Sequence, residues 1–511
     1  MNLSGCTNRS AQTGLLAAVA CATALAAIGC SKMGGDKSDK NKPQSGSGSN
    51  TAAAGASTKV ETGPILIGHY ASMTGSEATF GQSTDNGVRL ALDERNAKGG
   101  IKGRKVVIKT LDTASKASED KTVVTRLINE DHVVALLGEV ASKISLEGGK
   151  VAQQFSIPMI SPSSTNAKVT QLGNMISRVC FIDGFQGYVM AKFAKGDLKF
   201  DKVAILYDQA APYSKGLSED FTSAYTELGG VIATKQEYSA GDVDVAAQLG
   251  NIKKSGAQAV YLPGYYTDVG NIVRQARKQG VTVPFLGGDG WDSSKLTEIG
   301  GDAIEGSYYS NHYSFEEQRP EVQEFVSKYK AKFGEVPDGL AALGYDAARV
   351  LFDAMDRSPS LGGNDLAATI AATKDFPGVT GTITLDGNRD AVKKAVVLQI
   401  KGGKPAYVTS VSPKGMADAP APMVPGSAAG SSASSATGAV GDKDVKEAQP
   451  TPAAAPAAAM PVSAPKPLMQ GASGGGTAPA HGPAATEESK SQGKKAKRPA
   501  GEASDPDDGG E

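Results

Sequence analysis

The chain has 511 residues, with 53 Lys and Arg against 54 Asp and Glu and a formal net charge of -1. A nucleic-acid or anionic-surface partner would ordinarily call for a basic excess, so the composition argues against a nucleic-acid function. The aromatic residues begin at Tyr70 and end at Tyr407; because a core needs large apolar side chains, the globular part is expected over about 60–412.

At the N-terminus, Arg9 precedes an apolar run, GLLAAVACATALAAIG, that stops at Cys30 and turns abruptly polar. That is a secretory signal profile, too short for a bilayer span of about 20 residues. Its end, AAIGC, resembles a bacterial lipobox with Ala27 where Leu is usual. The resemblance implies that residues 1–29 are a removed signal peptide and that Cys30 carries the lipid. AVAC, ending at Cys21, competes with a shorter apolar run. With Cys6 and Cys21 lost and Cys30 acylated, Cys180 is the remaining thiol, expected as a buried small hydrophobe in the strand pattern ISRVCF. Residues 30–62 lack apolar periodicity and read as a flexible tether.

From there short apolar runs alternate with helical patterns. ILIGHY (65–70), KVVIKTL (105–111), VVALLG (133–138), PMIS (158–161), VAILY (203–207), AVYL (259–262) and PFLG (284–287) read as buried strands. Between them, Tyr213, Leu217, Phe221, Tyr225 and Leu228 share one helical face, as do Val269, Ile272, Val273 and Ala276. Strand and helix repeated in this way predict an α/β fold with parallel sheets covered on both faces. The units are too many for one sheet of ordinary size, which points to two doubly wound lobes.

Open parallel sheets bind ligands beyond the carboxyl ends of their strands, so the segments following each strand are the candidate site. In the first half these are SMTGSEATFG with Phe80, EVASKIS with Ser142, and PSSTNAK with Ser163, Ser164 and Thr165. In the second they are DQAAPYSKG with Tyr213, PGYYTD with Tyr265, and GGDGWD with Asp289 and Trp291. Hydroxyls and helix starts suit a carboxylate. An acid with phenols suits an ammonium, and Phe80 and Trp291 would supply an apolar wall. An α-amino acid carries all three features. Each residue also has a plainer role: Ser and Thr cap helices, Tyr213 heads an apolar face, and Asp289 sits between turn glycines.

The blocks NAKGGIKGRKVVIKTLDTAS (96–115), GNIVRQARKQGV (270–281), GGDGWDSSKL (287–296) and AALGYDA (341–347) resemble the periplasmic leucine/isoleucine/valine-binding proteins, the substrate-binding subunits of branched-chain amino-acid ABC transporters. The resemblance covers about 63–410. It implies a type I periplasmic-binding-protein fold whose lobes are discontinuous, 63–183 with 314–396 and 184–313 with 397–412, joined by three hinge crossings. It also implies an α-carboxylate site at the Ser142 hydroxyl, the backbone at Ser163 and the Thr165 hydroxyl. The ammonium site falls at Asp289 and the Tyr265 region, with Tyr213 and Phe80 as facing aromatics. Asp289 is shorter than the family's usual glutamate, and a disulfide of some members is absent, its positions matching Ser115 and Ala141. A monomeric, lipid-anchored envelope protein that delivers an amino acid to a membrane permease is the expectation, with no cofactor or metal.

Three other readings compete: a hydrolase, a ligand sensor, and a surface interaction protein acting through the tail, for which the sequence offers no mechanism. A hydrolase finds no support: His69, His132, His312 and His481 fall in no catalytic or metal-spaced motif, and GGK (148–150) and GDG (288–290) lack the rest of a nucleotide fingerprint. A soluble sensor for an amino acid or amide, docking on a separate receptor, is the alternative. The tail, 413–511, is low-complexity Ala, Pro, Gly and Ser with a basic cluster at Lys494, Lys495, Lys497 and Arg498, and reads as disordered.

Overall fold

The structure, a computed structural model, describes residues 63–413. The expected signal peptide, the lipid site Cys30, the tether and all of the tail beyond Pro413 lie outside the described residues.

Two sheets form because each strand is a short apolar run followed by an amphipathic helix, and a parallel sheet must bury both faces. The first contains β1 (Ile65–Ala71), with α1 (Ala78–Ala97), β2 (Val106–Asp112), α2 (Ala117–Asn129), β3 (Ala135–Leu137), α3 (Ser142–Gln154), β4 (Met159–Ser161) and β5 (Ile176–Arg178) following in turn. Its strand order is β2-β1-β3-β4-β5, all parallel. The chain builds outward in opposite directions from β1, so a crevice opens beyond the carboxyl ends of β1 and β3.

Next, α4 (Asp183–Lys192) leads into β6 (Lys202–Asp208), α5 (Pro212–Glu227), β7 (Val231–Tyr238), α6 (Ala246–Lys254), β8 (Ala259–Tyr261), α7 (Tyr266–Lys278), β9 (Phe285–Gly287), α8 (Ser294–Gly300) and β10 (Tyr308–Asn311). After β10 the chain returns to the first sheet with α9 (Pro320–Phe333), α10 (Gly339–Arg357), α11 (Gly363–Ala371) and a small hairpin, β11 (Phe376–Gly378) with β12 (Gly381–Ile383). It then goes back to the second sheet as β13 (Ala395–Lys401) and β14 (Lys404–Val411). That sheet runs β14-β13-β10-β9-β8-β6-β7, antiparallel only where β13 and β14 join. α10 packs along α1 at very short range: a Cβ on Gly87 would lie 2.0 Å from the Ala341 carbonyl oxygen, so only glycine fits there.

All seven expected strands are present, and the four residues expected on the apolar face of α7 are buried. On α5 the apolar face ends at Tyr225; Leu228 is the C-cap residue and is exposed. Among the strands outside those seven runs, β7 and β14 lie at the two edges of their sheet and are largely half-exposed, so little burial is written into their sequences. Cys180 is buried, and burial pushes its thiol up to about 12, in keeping with a packed rather than reactive role. Among the described residues no helix is long and apolar enough to cross a membrane.

Candidate functional site

Past β9 the chain makes one 3-10 turn, Asp289–Trp291, which turns the Asp289 carboxylate inward. Asp289 is only 5% exposed, yet it is fully organised. Its Oδ1 accepts from Gln186 Nε2 at 2.9 Å and from the Tyr213 hydroxyl at 2.9 Å, while its Oδ2 pairs with His312 Nε2 at 2.9 Å. Gln186 Oε1 accepts from the Asp289 amide, and the Tyr213 hydroxyl accepts from the Gly290 amide. Burial lowers His312 to about 4 despite the opposing pull of Asp289. The imidazole is therefore neutral near pH 7, donates from Nε2, and stacks on Phe181 at 3.7 Å. Three of the four or so acceptor positions of Asp289 are filled by neutral donors.

The first-sheet side is built around Glu139, just past β3. Its carboxylate accepts from the Ser72 amide at 2.6 Å and the Ala141 amide at 2.8 Å, tying the ends of β1 and β3 together. From behind, buried Arg178 donates to the carbonyls of Ser164 (2.5 Å) and Asn166 (2.9 Å) and pairs with Asp390 at 2.6 Å. The guanidinium thus shapes the loop 163–166 without facing the crevice. Asn166 donates its amide to Ser142 Oγ at 3.3 Å. In contrast to this framework, Ser163 Oγ and Thr165 Oγ1 are buried with no hydrogen-bond partner. So are both carboxyl oxygens of Asp183, at the start of α4. The Thr165 hydroxyl lies beside that carboxyl but outside hydrogen-bond geometry. Burial, with the charge of Asp289 nearby, holds Asp183 well above the usual carboxyl range.

The two sides are closed on one another. Thr79 Oγ1 meets Ser293 Oγ at 2.8 Å, the Thr267 hydroxyl donates to the Ser76 carbonyl at 2.7 Å, and Asn166 Nδ2 donates to the Pro212 carbonyl at 2.9 Å. They enclose a narrow cavity about one water in size. Ser163, Thr165, Tyr213, Tyr265 and Asp289 line it, with Val140, Gly290 and Leu340. The rings of Tyr213 and Tyr265 stack at 5.1 Å and 8°.

Four of the expected residues stand elsewhere. Phe80 meets Tyr265 and Tyr266 edge-on and belongs to the seam between the halves. Ser142 does not line the cavity: its Oγ accepts from the Asn166 amide, and its backbone N–H lies against the Tyr265 phenol. Ser164 points inward, its hydroxyl near the carbonyls of Glu139 and Val140 and the Ser145 hydroxyl. Trp291 corrects the expectation of a cleft wall: its indole donates to the Leu262 carbonyl at 3.1 Å and is 1% exposed in the core. It lies over Gly287, where a Cβ would come within 2.1 Å of the ring. Gln186, His312, Asp183 and Arg178 were not anticipated. Among the described residues no three His, Cys, Asp or Glu side chains come together as a metal would require.

The family model described as periplasmic binding protein matches residues 64–404. A Leu/Ile/Val-binding protein homolog of Brucella abortus (strain 2308) is 30% identical over 329 residues, covering 64% of this chain and 87% of that protein. A leucine-, isoleucine-, valine-, threonine- and alanine-binding protein of Pseudomonas aeruginosa is 29% identical over 337 residues, 66% of this chain and 89% of its own. Among solved structures, the leucine-binding protein LivK of Thermotoga maritima is 39% identical with a TM-score of 0.66, covering 68% of this chain and 99% of that one. The branched-chain amino-acid transporter substrate-binding protein LivJ of Streptococcus pneumoniae, in complex with isoleucine, is 31% identical with a TM-score of 0.65, covering 68% and 100%.

Proposed function

Because this chain belongs to the periplasmic binding protein family, we propose that it captures an amino acid, branched-chain or a close relative, between its two halves and hands it to an ABC permease. The observation that carries this reading is a cavity with unpaired hydroxyls on one side and, on the other, a carboxylate with an acceptor position left. The buried hydroxyls of Ser163 and Thr165 need an acceptor, and Asp289 opposite them can take one further donor. Buried polar groups left unpaired cost about 1–3 kcal/mol each. A carboxylate and an ammonium on the same small molecule answer both needs. Asp289 stands where that ammonium would sit, while Val140, Leu340 and the stacked tyrosines offer an apolar surface to the side chain.

A cavity about one water in size is too small for an amino acid, so the ligand enters with the halves parted, and the lining, Tyr213 and Tyr265 included, makes room for it as they close. Contacts made from both sides favour the closed form through differential affinity. A micromolar dissociation constant corresponds to about -8 kcal/mol. Two charge-assisted groups at roughly 1.5–3 kcal/mol each, together with apolar burial, supply that after closure costs. In this reading the protein is a monomer outside the cytoplasm, held to a membrane through a lipid on Cys30. Cys30→Ala should release it from membranes on fractionation.

A thermal-shift screen of amino acids, urea and short amides tests the ligand class. At a thousand times its dissociation constant a ligand adds about 4 kcal/mol to stability, a shift of several degrees. Leucine, isoleucine or valine should stand out. A shift with urea or amides alone would remove the ammonium from the site and overturn the reading.

A further inference from the structure

The halves also meet beside the cavity, at the N-terminus of α10, whose Leu340 lines it. Asp338 caps this helix, its Oδ1 accepting from the Ala341 amide at 2.8 Å and from the Ser83 hydroxyl of α1. From the other half, Asp292 reaches the same helix end: its Oδ2 accepts from the Gly339 amide at 2.6 Å, and its Oδ1 from the Tyr309 hydroxyl at 3.2 Å. The approach depends on glycine, since a Cβ on residue 339 would lie 2.8 Å from Asp292 Oδ2 and 2.5 Å from Asn311 Oδ1. Two carboxyls from opposite halves thus share one helix terminus, whose partial positive charge offsets only part of their repulsion. Asp289 and Glu335 add negative charge around them, and Tyr309, Tyr313 and Tyr329 complete the titratable surroundings. No Lys or Arg forms an ion pair with either carboxyl among the described residues.

We propose that Asp292 and Asp338 form a proton-held latch across the cleft: closing brings both carboxyls onto the α10 terminus, one proton relieves their repulsion, and the halves close more readily as the pH falls from about 8 to about 6. In the closed form burial, and after it the charge of Asp292, raises Asp338 to about 7, and burial raises Asp292 as well. When the halves part, Asp292 leaves with its own half and Asp338 returns toward the ordinary carboxyl value of about 4. The closed form therefore holds the proton more tightly. Its advantage is complete below about pH 4 and is lost as the pH rises through about 7. Between about pH 8 and about pH 6 the closing equilibrium gains about tenfold, and ligand affinity follows it. His312, held to about 4, titrates below this window.

The test uses the full chain and two readouts. Leucine affinity, by calorimetry, should improve about tenfold from about pH 8 to about pH 6, and this readout rests on the amino-acid reading above. Asp338→Asn keeps a good helix cap and imitates the protonated form, so it should bind tightly and equally at both pH values. The second readout needs no ligand: Trp291 is the only tryptophan in the chain and adjoins Asp292, so its fluorescence should step in the wild type at a pH between about 4, the parted value, and about 7, the closed one, and that step should be missing in Asp338→Asn. Asp292→Asn, which retains an acceptor for Gly339, serves equally if the first variant folds poorly. Failure of leucine to bind at either pH would count against the amino-acid reading, and the fluorescence would still decide the latch. A wild type with no fluorescence step that Asp338→Asn removes, or an Asp338→Asn protein that keeps the wild-type affinity slope, overturns the proposal.

Discussion

The two walls of the cleft are prepared in opposite ways. On the second-sheet side Asp289 is held by Gln186, Tyr213 and His312 before any ligand contact is made. On the first-sheet side the framework is rigid, through Glu139 and Arg178, but the groups at the cavity, Ser163 and Thr165, are unsatisfied. One wall has already met the cost of orienting its charge; the other keeps an unpaired-group penalty that a ligand relieves. Substitutions on the two walls should therefore separate stability from affinity in different directions.

The largest effect is expected at Asp289. Asp289→Ala removes the charge offered to an ammonium and strands donors on Gln186, Tyr213 and His312, so affinity should fall by a hundredfold or more, about 3 kcal/mol. Stability should fall too, by about 1–3 kcal/mol. Calorimetry beside urea denaturation separates the two, and an affinity within tenfold of wild type would remove Asp289 from the site.

His312 sharpens the same comparison through pH. An unfolded histidine takes a proton below about 6.5, whereas the folded one resists until about 4. Folding stability should therefore drop as the pH falls through that interval, by roughly 3 kcal/mol. His312→Gln retains a donor for Asp289 without the titration. The wild type minus variant difference in urea midpoints at about pH 7 and about pH 4 isolates the effect from the carboxyls.

On the opposite wall, Thr165→Val keeps the shape and removes the hydroxyl. Losing one charge-assisted hydrogen bond should weaken binding by about 10- to 100-fold, roughly 1.5–3 kcal/mol. Without ligand the variant should be as stable as wild type or more so, because a buried hydroxyl with no partner has been replaced by a methyl group. A loss of stability without ligand would show that the hydroxyl is already satisfied.

How far these walls were legible in the chain depended on distance along it. Asp289, Tyr213, Ser163 and Thr165 each follow an apolar strand, and the strand-end rule finds them with no tertiary information. His312 obeys the same rule, lying just past β10, but GSYYSNHY is a weak strand pattern, so its position went unread. Gln186 and Asp183 sit where the chain crosses between sheets, and no local spacing marks such a place. Trp291 was misassigned because a large aromatic between glycines suits a ligand wall as well as a core lid; the choice is made by Gly287, which leaves the floor on which the indole rests.

The smallest expected effect tests the finest distinction, between adjacent residues of one loop. Ser164 and Thr165 are equivalent by sequence, but Ser164 Oγ lies 2.8 Å from the Val140 carbonyl and 2.7 Å from Ser145 Oγ, inside the protein. Ser164→Ala breaks that buried bonding and should cost about 1–2 kcal/mol of stability while ligand affinity stays within about twofold. The two neighbours would then show opposite behaviour: Thr165→Val loses affinity and keeps stability, and Ser164→Ala does the reverse. The separation follows from strand-like alternation of the loop, with Arg178 gripping the Ser164 and Asn166 carbonyls from behind. If Ser164→Ala instead weakens binding with stability unchanged, the loop presents its other face to the ligand, and the carboxylate contact assigned to Thr165 moves to Ser164.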